Sequence, residues 1–216
     1  MTKTKTDSTA TTLSGGIHLD DSHFIGNGVH KKCYIHPDNS LLCIKILYKE
    51  DKGAQKQLKR EIKYNKKLKD KDIPFLPKYH GVIATNIGKG YQFDFIKNYD
   101  GSQSHSLSDY LSSETLLRDN FSMLVEALKR LKQHMFFYNV ATMNIYPQNI
   151  LYKKESEKEG KFIIIDDIGT ASLIPLEYYF PFAAKARVKR RWHRLISYME
   201  YTYKDSLAKE LIKSVR

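Results

Sequence analysis

NIYPQNILYKKESEKEGKFIIIDDIG, residues 144–169, decides the fold. Ile150-Leu151-Tyr152 is a short apolar run, and Phe162 to Ile165 is a β-branched one. The charged KKESEKEG between them is a loop by composition. The stretch therefore reads as a β-hairpin. Asn149 stands just before its first strand, and Asp166-Asp167 just after its second. A hairpin returns its ends to one place, so an amide oxygen and one or two carboxylates converge there. That donor set suits a hard divalent cation that keeps waters and shares phosphate oxygens.

Upstream of the hairpin, Thr115 to Tyr138 carries Leu117, Phe121, Leu124, Leu128, Leu131 and Met135 at helical spacing, the pattern of a core helix. Ser106 with Asp109 three residues later is a capping-box pattern and starts a short helix. Lys97 to His105 is a polar linker.

Further back, strands are expected at 23–25, 32–36, 41–48, 79–84 and 91–96, with one helix over 54–69. The third strand is apolar except for Lys45, and a buried ammonium needs an anionic partner. Glu61 is the only acid in the lysine-rich helix and shares a face with Leu58, Ile62, Asn65 and Leu68. Lys45 and Glu61 are therefore expected to pair across the strand and the helix. A turn at 37–39 would set Cys33 opposite Cys43, with both on the Lys45 face.

Downstream, Val188, Trp192, Leu195 and Met199 form one apolar helical stripe within 183–201. Lys185, Lys189, Arg190, Arg191 and Arg194 take the remaining surface, and a last short helix is expected over 203–214.

The chain has 216 residues, 41% of them hydrophobic, which is one domain or two small lobes with enough apolar content for a core. No apolar run approaches the roughly 20 residues of a membrane span. The Thr/Ser-rich residues 1–16 lack the apolar core of a secretory signal and read as a disordered tail. Two cysteines make no disulfide framework, so a reducing, cytoplasmic compartment is expected. A formal net charge of +12 admits nucleic acid, an anionic membrane face or a phosphorylated substrate as partners. No nucleic-acid reader motif accompanies it, and few aromatics interleave with the basic cluster, so no specific nucleic acid is expected.

The order of these parts, with P-x-N-I-L at Pro147 to Leu151, D-I-G at Asp167 to Gly169 and T-A-S-L-I-P after it, resembles a minimal protein kinase. More closely, the chain resembles the YrbL family, small bacterial kinase-like proteins attached to the PhoP regulatory network. The resemblance spans roughly residues 20 to 200. It implies an α+β, two-lobe fold: a five-stranded antiparallel N-lobe sheet with one helix over 20–97, and a short, mainly helical C-lobe over 98–216. It implies ATP and Mg as cofactors. Gly26 and Gly28 match the first two glycines of a phosphate-covering loop, with Lys31 where a third would stand. Lys45 matches the phosphate-holding strand lysine, and Glu61 its helix partner. Phe93 falls at the gatekeeper position, the backbone of Asp94 to Ile96 would meet adenine, and Cys33 and Cys43 would roof it. Asn149 and Asp167 match the metal ligands, with Asp166 an extra acid beside them that backbone N–H groups could satisfy.

The catalytic aspartate of the pattern is replaced by Asn144, and the histidine two residues earlier by Thr142. An amide cannot take a proton from a hydroxyl as a carboxylate can. Three readings follow: an ATP- and magnesium-dependent transferase acting on a small-molecule or lipid-linked, anionic acceptor; a pseudokinase that binds nucleotide or a partner and signals by conformation, as a regulatory binding protein; or a basic nucleic-acid- or membrane-binding protein using the helix near 185–194. The transferase is placed first, because loose phosphoryl transfer rests more on positioning and charge than on a strong base.

Overall fold

A computed structural model describes residues 16–48, 52–68, 71–172 and 176–216. Most of the expected N-terminal tail, and Leu173-Ile174-Pro175 of the T-A-S-L-I-P motif, lie outside the described residues. The elements follow in the order β1 (Phe24–Asn27), β2 (Lys31–His36), β3 (Asn39–Leu47), α1 (Lys52–Lys67), β4 (Tyr79–Thr85), β5 (Gly88–Asp94), β6 (His105–Ser106), α2 (Leu107–Ser112), α3 (Glu114–Tyr138), β7 (Ile150–Lys154), β8 (Gly160–Ile164), α4 (Pro181–Thr202) and α5 (Ser206–Ser214).

The first five strands form one antiparallel sheet in the order β1-β2-β3-β5-β4. Its buried side holds Leu19, Tyr34, Ile44 and Ile46. Gly90 in β5 is required there, since a Cβ would come within 2.5 Å of the Ile44 side chain. The β2–β3 turn is tighter than expected. His36 pairs with Asn39, a bulge follows at Ile35, and Asp38 N–H donates to the His36 ring. Cys33 therefore lies opposite Lys45 and Ile35 opposite Cys43, which corrects the expected Cys33–Cys43 register. The shift is two residues, so the faces are unchanged and Lys31, Cys33, Cys43 and Lys45 still look the same way.

Helix α1 lies under the sheet with Ala54, Leu58, Glu61, Tyr64 and Asn65 buried. Tyr64, rather than the expected Ile62, completes the inner face. Its hydroxyl accepts the Ala141 N–H at 2.9 Å and its ring stacks on Tyr178, so a residue able to hydrogen-bond is favoured there.

The helical half is built around α3, whose Leu117, Leu124, Leu128, Leu131 and Met135 are all buried. Ser106 and Asp109 make the reciprocal capping box at the start of α2. The hairpin is β7 and β8, paired from Ile150↔Ile164 to Lys154↔Gly160, with β6 added at its edge. Helix α4 buries Val188, Trp192, Leu195 and Met199 as its stripe predicts. Arg191, however, is not on the solvent face with its neighbours. It sits half-buried and turned toward the hairpin base, where its guanidinium donates to Asn144 at 3.1 Å.

Candidate functional site

The base of the hairpin is strapped by backbone hydrogen bonds. Ile165 N–H donates to Asn149 O at 2.9 Å, Met143 N–H to Asp167 O at 2.7 Å, and Gly169 N–H to Ala141 O at 2.8 Å. These bonds hold the loop 141–149 against 165–169. Asn144, Asn149, Asp166 and Asp167 are thereby brought to one wall. Asp167 sits at φ +61°, left-handed backbone that aspartate tolerates better than most residues.

Sheet and helical half enclose a cleft with two compartments. The inner one, about 300 Å³, is lined by Cys33, Cys43, Phe93, Ile96 and Leu151, together with Gly26, Gly28 and Lys45. The outer one, about 590 Å³, is the more polar of the two and is lined by Gln57, Arg60, Asn144, Asp167 and Arg191. Gly28, Lys31, Gln148, Asn149 and Asp166 line both, so the compartments adjoin. An added Cβ at Gly26 would meet nothing within 4 Å, so packing inside the protein does not explain that glycine. At the expected hinge, Asp94 N–H is used by Lys78 O and Phe95 N–H by Leu41 O. Ile96 N–H enters none of the hydrogen bonds among the described residues. The Cys43 S–H donates to Asp94 O at 3.7 Å. The two thiols neighbour each other, and their interaction pulls the Cys33 thiol below its usual range and, with burial, pushes the Cys43 thiol above it.

The expected Lys45–Glu61 pair is not formed. Lys31, at the start of β2, reaches Glu61 at 2.8 Å and also salt-bridges Asp166. The Lys45 ammonium instead donates to the carbonyl of Ile165 and lies 4.7 Å from the centre of the Phe93 ring. The physical reason is shared orientation: both lysines face the cleft, and Lys31 is the one placed to bridge two carboxylates, one at each end. Glu61 and Asp166 then lie in one cluster, and burial with mutual repulsion must fall on one of them. Burial first, and Asp166 second, push Glu61 up to about 7 against the pull of Lys31. Asp166 is also penalised by burial, yet Lys31 and then Lys45 overcome this and hold it well below the usual carboxylate range. Burial would lower Lys31, but Glu61 and Asp166 outweigh it and raise the ammonium above its ordinary value. Asp166 is therefore an ion-pair residue, its backbone contact limited to Asp167 N–H at 3.0 Å.

Two further residues carry no sequence signal that singled them out. Gln57, one turn before Glu61 on α1, donates to Asp167 at 2.5 Å. Arg187, buried in α4, donates to Thr142 O at 2.9 Å and pairs with Glu177 at 2.8 Å, tying α4 to the loop before Asn144. Its neighbours' charges hid it: in a run of exposed cations, one inward-facing arginine looks the same as the rest.

The donor set fits magnesium. Asn149 and Asp167 are hard oxygen donors on the outer compartment, and the ion needs only one or two such side chains when phosphate oxygens and water complete its shell. Burial, then Asp166, pushes Asp167 up to about 6, a strain that a cation beside it would relieve. Among the described residues, no helix is long and apolar enough to cross a membrane.

A five-stranded sheet with one helix over a helical half, and a hairpin base presenting asparagine and aspartate to the cleft between them, is the protein-kinase fold. Solved structures agree: over 91% of this chain and 51% of the other, the crystal structure of Rad53 1-466 in complex with AMP-PNP superposes with a TM-score of 0.57 at 15% identity. This chain thus spans about half of that one, and the likeness is one of fold. Residues 17–200 match the family described as PhoP regulatory network protein YrbL, and the chain belongs to it. The YrbL proteins of Escherichia coli (strain K12) and Shigella flexneri are each 35% identical to it over 183 residues, covering 84% of this chain and 87% of theirs.

Proposed function

We propose that the cleft binds ATP with magnesium and that the chain is a phosphotransferase acting on a small-molecule or lipid-linked acceptor. The observation that carries this is the junction of a mainly apolar compartment, roofed by Cys33 and Cys43, with a more polar one lined by Asn149 and Asp167. In this reading Ile96 N–H and the apolar walls take the base, and Lys45 and the Gly26–Gly28 loop face the phosphates. Lys31 fixes α1 against Asp166 and so sets the shape of the phosphate end. Asn149 and Asp167 hold the magnesium, which when bound offsets charge on the phosphate oxygens. Gln57 orients Asp167 for that task.

A second reading keeps the nucleotide and drops the chemistry. Asn144, where a general base is wanted, favours it: the amide accepts from Arg191 and cannot accept a proton. Turnover separates the two. Purified protein with ATP and magnesium should convert ATP at a rate that Asp167→Ala abolishes; a nucleotide-induced thermal shift with no turnover, across soluble and vesicle-borne acceptors, would leave the pseudokinase.

A further inference from the structure

The wall where a base would stand is built of donors. Arg191 Nη1 can only donate, so the Asn144 side chain must turn its oxygen to the guanidinium, at 3.1 Å. The NH₂ of Asn144 then points away from Arg191, and the residue is exposed on the outer compartment. An attacking group at this place meets an amide donor and a guanidinium. Among the described residues lining this compartment, the carboxylates are Asp166 and Asp167, of which Asp166 is neutralised by Lys31. Arg60 and His30 line the same compartment. Such a wall is poorly suited to a neutral hydroxyl, which needs its proton removed. It suits an oxygen that is already an anion.

Resting on the ATP-dependent reading above, we infer that the acceptor is a phosphate monoester and that one of its own ionised oxygens is the nucleophile. That oxygen forms a new bond to the γ-phosphorus while the bond from the γ-phosphorus to the β,γ-bridging oxygen breaks. The electron pair of the broken bond leaves with ADP, and the acceptor becomes a diphosphate. Charge balances across the step with no proton removed from the nucleophile, so the missing aspartate is not missed. Arg191 and Asn144 hold the incoming phosphate and, with Arg60, offset the repulsion between two polyanions.

The test uses the full chain. Saturation with AMP-PNP and magnesium, read by thermal shift, first establishes the nucleotide. Inorganic phosphate is then titrated into that complex and followed by phosphorus NMR. Binding is expected, weakened about tenfold or more in Arg191→Gln and in Asn144→Asp. Asn144→Asp is the sharper variant, because an exposed aspartate keeps the Arg191 contact and the fold while replacing a donor with a repelling carboxylate. With ATP, glycerol 3-phosphate or phosphatidic acid in phosphatidylcholine vesicles should yield a new diphosphate signal, and glycerol none. The two phosphate arms tell a soluble from a lipid-borne acceptor. Nucleotide binding without phosphate binding, or transfer to glycerol that Asn144→Asp enhances, overturns the inference and leaves the ATP reading standing. No nucleotide shift at all overturns that reading and this inference with it.

Discussion

Lys31 and Lys45 show at the residue scale what a sequence can and cannot tell. Burial of a lysine in an apolar strand, and of a lone acid on an apolar helix face, was legible: Lys45 and Glu61 are 8% and 1% exposed. Which cation meets which anion was not. Strand parity places both lysines on one face, and only the packing angle of α1 selects Lys31. Removing that ammonium leaves two carboxylates in the interior facing each other. Lys31→Ala should therefore lower stability by about 3 kcal/mol or more in urea unfolding, whereas Lys45→Ala, whose partner is a carbonyl, should lower it less. Equal losses would mean that the cluster is not organised by Lys31. Glu61 gives a pH signature. Its folded-state value, raised to about 7 from 4.5, means that its contribution is full below the unfolded value and is lost as pH rises through about 7. In buffer free of metal and nucleotide, the Tm of the wild type should fall relative to Glu61→Gln between about pH 5 and about pH 8. A constant difference across that range would show that Glu61 is not held up in the folded protein.

Elements follow from the sequence more fully than pairings do. The hairpin, α3 and the apolar stripe of α4 are where periodicity puts them, because each has one face that must be buried and a turn or cap at its end. The β2–β3 register was not legible, since β3 carries three extra residues, Ser40 to Leu42, between the His36–Asn39 and Ile35–Cys43 pairs, and the outcome keeps the same residues on each face. Gly160, at the far end of the hairpin, is a local test of that packing. A Cβ there would lie 2.6 Å from the Tyr152 ring and 2.7 Å from Lys153 O, so Gly160→Ala should cost about 1–3 kcal/mol in denaturant unfolding. An unchanged midpoint would show that the turn opens freely. Along α4, the turning of Arg191 into the cleft divides the basic cluster in two. Lys189, Arg190 and Arg194 remain on the exposed face and Arg191 does not. If a lipid-linked acceptor is used, changing those three exposed residues to glutamate should abolish salt-sensitive binding to anionic vesicles and leave the nucleotide shift intact. Retained vesicle binding would make this face ordinary surface.

On the scale of the whole molecule, the kinase fold and the YrbL family define a scaffold in which the hairpin base and the sheet face each other across one cleft. The donors at that base were legible because a hairpin's ends must meet. The supporting contacts from Gln57 and Arg187 were not, since they depend on how helices dock against the base. Everything proposed for the cleft rests on Asn149 and Asp167 acting together on a magnesium-bound nucleotide. The most direct measurement is the thermal shift produced by AMP-PNP, with magnesium and with excess chelator, in the wild type, Asn149→Ala and Asp167→Ala. A ligand at about 100 times its Kd stabilises by about 2.7 kcal/mol, enough to move Tm by several degrees. The expected result is a shift in the wild type that chelator removes and that each variant loses. A shift equal in all three proteins, or the same with chelator as with magnesium, would contradict the assignment of Asn149 and Asp167.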